Sequence, residues 1–294
     1  MSRLFSLAFL AQVVRIALPY LAASMGGIWS ERAGVPNVAL EGTILVSALG
    51  AVAGTTLTGS PWLGLLIALA AGVLLQIIHA LTVLVGRANA IVSGLALNLL
   101  ASGGTRFLLR ALYDSSSNSP AIPGLTSKAG HSLLVATLLD PTTWMVVLVV
   151  VGTVVGLDRT RLGLRVRAVG EHPEAAESVG VNVLRTRLFA LALAGATAGL
   201  AGAWLAFDQR QFSSGMSGGR GFIALATVVI AGWRPLQAAL FAVLFGAAEA
   251  AQIVLQDQKL VAHQVVQALP YILTLLVLAG WVRRSRPPAA LGRT

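Results

Sequence analysis

The stretch D-R-T-R-L-G-L-R-V-R-A-V-G-E-H-P-E-A-A-E-S-V-G-V-N-V-L-R, residues 158–185, separates two apolar runs at 139–157 and 186–207. Each run is long enough to cross the roughly 30 Å of hydrocarbon in a bilayer as a helix. A basic stretch between two such runs reads as the loop at which a membrane protein meets something soluble. Inside it, His172 to Gly180 has the marks of a very short helix. Pro173 stands where a first helical residue tolerates a missing N–H, and Glu174 and Glu177 suit the positive N-terminal end. Gly180 supplies a left-handed cap. Ala175, Ala176 and Val179 form a small apolar face. Two helical turns are not stable alone in water, so this helix has to be held by neighbours or by a partner.

The rest of the chain agrees with a membrane setting. Of its 294 residues 56% are hydrophobic and 11% charged, and the mean hydropathy is +0.81. A soluble domain carries about 25% charged residues. Apolar segments recur at about 4–27, 38–58, 62–85, 90–112, 139–157, 186–207, 222–233, 236–255 and 264–282. The fold class is therefore all-α: one polytopic helical membrane domain over 1–294, with about 8–10 spans, some of them broken. Arg15 interrupts the first run and further spans follow, so 4–27 reads as a retained span rather than a cleaved signal. Residues 28–42 mix charge, Pro and Gly where a span should begin, and 222–233 is too short to cross as a straight helix. These are either interrupted segments lining a central pathway or ordinary loops beside a tilted helix.

Charge sets the orientation. All but two of the 21 basic residues are arginine, the lysines being Lys128 and Lys259. With 158–185 in the cytoplasm, the tail 283–294 falls on the same side, as do Arg32, Arg87 and Arg234. That places 13 basic residues inside and six outside, as the positive-inside rule requires. The polar loops 113–138 and 209–221 then face outward. The net charge of +10 needs no nucleic-acid partner, since no soluble domain or aromatic interleaving carries one.

The motif E-A-A-x-x-x-G at Glu174–Gly180 resembles the coupling motif of bacterial ABC-importer permeases. The longer stretch R-T-R-L-G-L-R-V-R-A-V-G-E-H-P-E-A-A-E-S-V-G-V-N-V is similar to the central loop of the permease family for branched-chain amino acids, simple sugars and nucleosides. G-I-W-S-E-R-A-G-V-P-N-V-A-L-E-G (Gly27–Gly42), G-R-G-F-I-A-L-A-T-V-V-I-A-G-W (Gly219–Trp233) and L-F-G-A-A-E-A (Leu244–Ala250) resemble its nucleoside branch. The chain departs from its relatives at His172, where they often have Asn. The resemblance implies a type II ABC-importer-like permease whose residues Pro173, Glu174, Ala175, Ala176, Glu177, Val179 and Gly180 dock into a cytoplasmic ABC ATPase subunit. It further implies a second permease subunit, identical or homologous, an extracytoplasmic substrate-binding protein, and a bacterial inner-membrane location with the C-terminus in the cytoplasm.

Charged and amide groups at membrane depth are candidates for the pathway. Glu249 lies within 236–255 with Gln252 on the same face, and needs a partner such as an arginine or Asn98. Glu41 stands at the start of the second segment, where it is either a pathway residue or a helix-terminus charge. Gln76, His79 and Asn98 are polar groups on apolar faces and suit interhelical hydrogen bonds. Gly195, Gly199 and Gly202 allow close helix approach, for internal packing or for a moving helix. No catalytic constellation, metal set or cofactor motif is visible: cysteine is absent, the four histidines are dispersed, and no Gly-Lys pair exists for a phosphate loop. ATP then has to be hydrolysed by another subunit, and an ion-coupled transporter is disfavoured because only Glu249 lies well inside a span.

Overall fold

The computed structural model describes residues 7–126, 130, 132–257 and 286–293. Among them run eleven helices: α1 (Leu7–Arg32), α2 (Leu40–Thr58), α3 (Pro61–Ala80), α4 (Ala90–Tyr113), α5 (Leu133–Leu139), α6 (Pro141–Arg159), α7 (Arg161–Glu171), α8 (Pro173–Ser178), α9 (Val183–Gln209), α10 (Arg220–Ile230) and α11 (Pro235–Asp257). α3 continues through a π-helical turn, Leu81–Val85. Seven of these, α1, α2, α3 with its π turn, α4, α6, α9 and α11, are long and apolar enough to cross a membrane. The protein is a polytopic all-α membrane protein. The segment expected at 264–282 lies outside the described residues.

Helix ends follow local chemistry. Asn89, Asp140, Thr160 and Asn182 each accept a hydrogen bond from a first-turn amide of α4, α6, α7 and α9, which satisfies donors that a helix leaves open. Gly59 ends α2 at φ 70°, where a side chain would be strained. Asp114 and Arg210 end α4 and α9 in the same left-handed region.

α9 runs about 40 Å at 1.5 Å per residue, so the segments at its two ends are far apart. α1 lies antiparallel to it. The Arg187 guanidinium donates to the Ala33 carbonyl at one end (3.1 Å), and Arg15 pairs with Asp208 at the other (2.6 Å). α2 and α3 form a hairpin against α9, and close glycines set the spacing. Gly195 and Gly72 face each other's backbone, Gly199 lies on α3 at Ala68–Leu69, and a Cβ at Gly202 would collide with the Ile44 carbonyl oxygen of α2. Of the two roles open to the α9 glycines, the contacts are those of internal packing. Leu18, Ile44, Trp204 and Phe207 fill the space between these helices. The outer faces of α3, α4, α6 and α11 expose Leu74, Leu99, Leu148 and Leu240, surfaces suited to lipid rather than water.

Three sequence expectations need adjustment. α1 does not stop at 27 but continues to Arg32, so the irregular backbone is confined to 33–39. The short segment expected at 222–233 is helical over Arg220–Ile230. Residues 161–171 are helical rather than loop, because Gly163, Val166, Val169 and Gly170 recur at helical spacing and are buried beneath the arginines.

Gly202→Ala should lower the thermal midpoint of the detergent-solubilised protein, with a cost of about 1–3 kcal/mol for backbone overpacking. Gly103→Ala in α4, where a Cβ meets nothing within 4 Å, should leave it unchanged or raise it. Equal tolerance of both changes would remove the close-packing account of α9.

Candidate functional site

Two regions collect the polar groups of this apolar bundle. The first surrounds the non-helical linker 33–39 and the start of α10. α1 ends in a glycine cap: the Val35 amide donates to the Ser30 carbonyl (3.1 Å) and the Gly34 amide to Glu31 (2.9 Å), with Gly34 at φ 90°. The linker then enters the bundle, where its backbone groups cannot rely on water. Asn98 on α4 serves one of them and the first turn of α2: its Nδ2 donates to the Val38 carbonyl (2.9 Å) and its Oδ1 accepts from the Gly42 amide (2.8 Å). Asn37 and Gln76 form a reciprocal amide pair at 3.0 Å each way, and Gln76 also donates to Thr43 (2.9 Å). His79 lies 3.0 Å from Ser93 and 3.3 Å from the Pro36 carbonyl. Asn98, Gln76 and His79 are thus engaged in holding helices and linker together.

Glu41 has a sharper task. It sits in the first turn of α2, and its two carboxylate oxygens accept from the Gly219 amide (2.8 Å) and the Gly221 amide (2.7 Å). These amides open α10, so one carboxylate meets both the open donors and the positive end of that helix. The approach is close: a Cβ at Gly221 would run into the backbone of Glu41. At the far end of α10 a second glycine cap, with Gly232 at φ 61°, turns the chain, and Trp233 follows at φ 58°. A bulky residue in that conformation is strained and must be held. The Trp233 indole N–H donates to Glu31, and its carbonyl accepts from Arg32 (3.0 Å). Both ends of α10 are therefore tied to residues flanking the linker.

Glu249 on α11 is paired with Arg220 (2.8 Å) and accepts from the Tyr20 hydroxyl of α1. Its partner is an arginine, not Asn98. Arg220, expected within the polar loop 209–221, is the first residue of α10. Both side chains of the pair are about one-fifth exposed. Gln252, one turn further along α11, is partly exposed. The structure thus joins Glu41 and Glu249 through the α10 N-terminus, with Asn98 near Glu41 and Gln252 one turn from Glu249. Sequence reasoning misses Tyr20, Trp233 and Asn37, whereas Gln76 makes an interhelical hydrogen bond of the kind expected of it. The available signal was that a mid-span carboxylate demands a cation, and Arg220 borders the glycine-rich segment that can reach it.

The second region lies at the end of the bundle that carries residues 158–185. α8 ends in a glycine cap: the Val181 amide donates to the Ala176 carbonyl (3.0 Å) and the Gly180 amide to Glu177 (2.9 Å), with Gly180 at φ 85°. Ala176 is buried, whereas Glu174, Ala175, Glu177 and Val179 are exposed, Val179 by 77%. The apolar face expected of Ala175, Ala176 and Val179 is therefore divided, with one alanine turned in and two residues turned out. The tail segment 286–293 packs here. Ala290 donates to the Gly170 carbonyl (2.9 Å), Gly292 to Gly34 (3.0 Å), and Arg187 to the Arg293 carbonyl (3.3 Å). Between α8 and this tail lies a hollow of about 530 Å³ bordered by Glu171, His172, Glu174, Ala290 and Arg293. At the opposite end, Ser119 donates to the Phe212 carbonyl (2.9 Å) and Ile122 to Arg210 (2.8 Å), so the two polar loops meet each other.

Residues 9–278 match the branched-chain amino acid transport system / permease component family. The chain belongs to this family and is the permease component of an ABC importer. It is 34% identical to the guanosine ABC transporter permease protein NupQ of Bacillus subtilis, over 94% of this chain and 92% of that one. It is 32% identical to the nucleoside ABC transporter permease protein NupC of Lactococcus lactis, over 96% and 94%. A putative glucose ABC transporter permease protein of Haloferax volcanii is 35% identical over 96% and 93%.

Removing Glu249 should strand the Arg220 charge inside the protein. Glu249→Ala is expected to destabilise the solubilised protein by about 3 kcal/mol, as for other broken buried pairs. Adding Arg220→Ala should recover part of that loss in a double-mutant cycle. Strictly additive losses would show that the two groups do not depend on each other.

Proposed function

We propose that this permease carries nucleosides and that α8 is the element through which a cytoplasmic ATPase drives it. The exposed side of α8 carries this reading. A two-turn helix leaves Ala175 and Val179 uncovered beside Glu174 and Glu177, while the buried Ala176 and the glycine cap hold it to the body. Such a helix is suited to insertion into a cleft of another protein. In this reading Pro173, Glu174, Ala175, Ala176, Glu177, Val179 and Gly180 form the docking element, and the subunit itself performs no catalysis. Residues 158–185 and 283–294 lie in the cytoplasm, 113–138 and 209–221 face outward, and the whole chain is one transmembrane domain of the bacterial inner membrane. A second permease, identical or homologous, completes the pathway, and an extracytoplasmic binding protein delivers the substrate.

Movement of α8 has a contiguous route inward. α7 joins Gly170 to the tail, the tail joins Gly34, and the linker from Gly34 leads to Glu41 and the start of α10. A partner with different affinities for two positions of α8 would shift the permease between outward and inward access. The pathway runs beside α10, with Glu249 and Gln252 bordering it and Glu41 and Asn98 fixing its frame.

Nucleosides are favoured by the guanosine and nucleoside permeases among the relatives and by the Gly27–Gly42 stretch. The glucose permease among them supports a simple sugar as the second reading. Deleting the gene should abolish uptake of radiolabelled purine or pyrimidine nucleosides and leave leucine and glucose uptake unchanged. Loss of glucose uptake alone would move the assignment to sugars and leave the coupling element untouched.

Docking and sidedness can be read together. Purified ATPase should bind washed inverted membrane vesicles and not right-side-out ones. Glu174→Lys opposes the helix dipole and should abolish that binding or uncouple ATP hydrolysis from transport. Gly180→Val strains a residue at φ 85° and should do the same while the protein remains inserted. Normal transport by both variants would reduce 172–180 to a connecting loop.

A further inference from the structure

A hollow of about 340 Å³ lies between α7 and the first turns of α9, on the other side of Gly180 from the docking helix. Arg165 of α7 and Arg185 of α9 border it, and among the described residues no carboxylate does. Leu162 and Phe189 also border it, with 40% and 46% of their surfaces exposed. Each arginine is thus paired with an apolar residue of its own helix, three positions away on α7 and four on α9, which puts each pair on one helix face. Phe189 lies one turn deeper than Arg185 along the span. Leu162 follows the end of α6 by only three residues. The guanidinium groups therefore sit at the end of the bundle and the uncovered apolar groups towards its membrane-crossing part.

We propose that this hollow binds the phosphate headgroup of an anionic phospholipid, with its acyl chains lying over Leu162 and Phe189. Two guanidinium groups that no carboxylate of the described residues joins in the hollow match a phosphate, which accepts the paired hydrogen bonds of the arginine fork. A free phosphate ion would make no use of the apolar residues beside them. A protein partner fits less well, because Phe189 belongs to the membrane-crossing helix. Bound there, the lipid bridges α7 and α9, the two helices that flank α8. Basic pockets on the cytoplasmic side of membrane helices are suited to such headgroups.

The test uses the purified full-length chain in detergent, titrated with dioleoyl phosphatidylglycerol, dioleoyl phosphatidylcholine or inorganic phosphate, and read by thermal midpoint and native mass spectrometry. Phosphatidylglycerol should bind and raise the midpoint, and the other two should not. Losing two basic groups near an anionic headgroup weakens binding about 30-fold, so Arg165→Gln/Arg185→Gln should raise the half-saturating concentration by that factor. Arg159→Gln/Arg161→Gln removes two exposed charges outside the hollow and should leave it unchanged. Equal response to phosphatidylcholine, or unchanged phosphatidylglycerol binding in Arg165→Gln/Arg185→Gln, overturns the proposal. So does reproduction of the whole effect by inorganic phosphate, which would make this an ion site. Loss of ATPase binding in that variant, with its lipid selectivity intact, would assign the hollow to the ATPase instead.

Discussion

A helix that begins inside an apolar bundle presents open amides with no water to receive them, and the Glu41 carboxylate resolves this for α10. Its two oxygens meet the Gly219 and Gly221 amides, so the half-helix starts at depth without open donors. A charged acceptor is the strong choice there: charge-assisted hydrogen bonds are about twice as strong as neutral ones, and the helix end adds a favourable field. Because Glu41 belongs to the first turn of α2, the arrangement also fixes where α2 starts. The linker before it is then obliged to enter the bundle, and Asn37, Gln76, Asn98 and His79 follow as the groups that accommodate its polar atoms. The polar interior is thus one connected consequence of breaking two helices.

That network works only if the surrounding helices hold their spacing. Leaving one buried donor unpaired costs about 1–3 kcal/mol, so small shifts of α2 against α4 or α10 matter. The glycines of α9 supply the constraint. With Gly195 on Gly72 and Gly202 on Ile44, backbones meet without intervening side chains, and dispersion contacts are made at short range. Larger residues would push α2 outward and carry Glu41 away from α10. The small residues and the buried acid act on the same geometry.

Periodicity and punctuation made much of this legible. Span-length apolar runs, the short tenth helix, the proline start and glycine end of α8, and the close-packing glycines all have local signatures. α7 is hidden because three arginines among eleven residues resemble a solvated loop, although Gly163, Val166 and Gly170 keep a helical period. α1 seemed to end early because Glu31 and Arg32 look like surface charges. They are instead engaged by Trp233, about two hundred residues away in sequence. The Glu249–Arg220 pair was half visible: the need for a cation could be stated, but not which one. Long-range polar pairs leave no periodic trace, since each partner satisfies a need that only the folded bundle creates.

The same long-range ties explain why α10 is suited to motion as a unit. Its N-terminus is held by Glu41 and the Arg220–Glu249 pair, and its C-terminus by Glu31 and Arg32 through Trp233. Between its ends, Ile223, Val228, Val229 and Ile230 pack in apolar clusters with neighbouring helices. Apolar surfaces can slide by small amounts at little directional cost, whereas the terminal hydrogen bonds are either made or broken. Displacement of the linker 33–39 would thus be felt at both ends together, because Glu31, Arg32 and Glu41 flank it on either side. The strained Trp233 backbone lies at one of these junctions, where an alternative conformation would relieve part of the strain. The break that the Glu41 carboxylate makes tolerable also ties the linker 33–39 to both ends of α10, so that a displacement of one would be carried to the other.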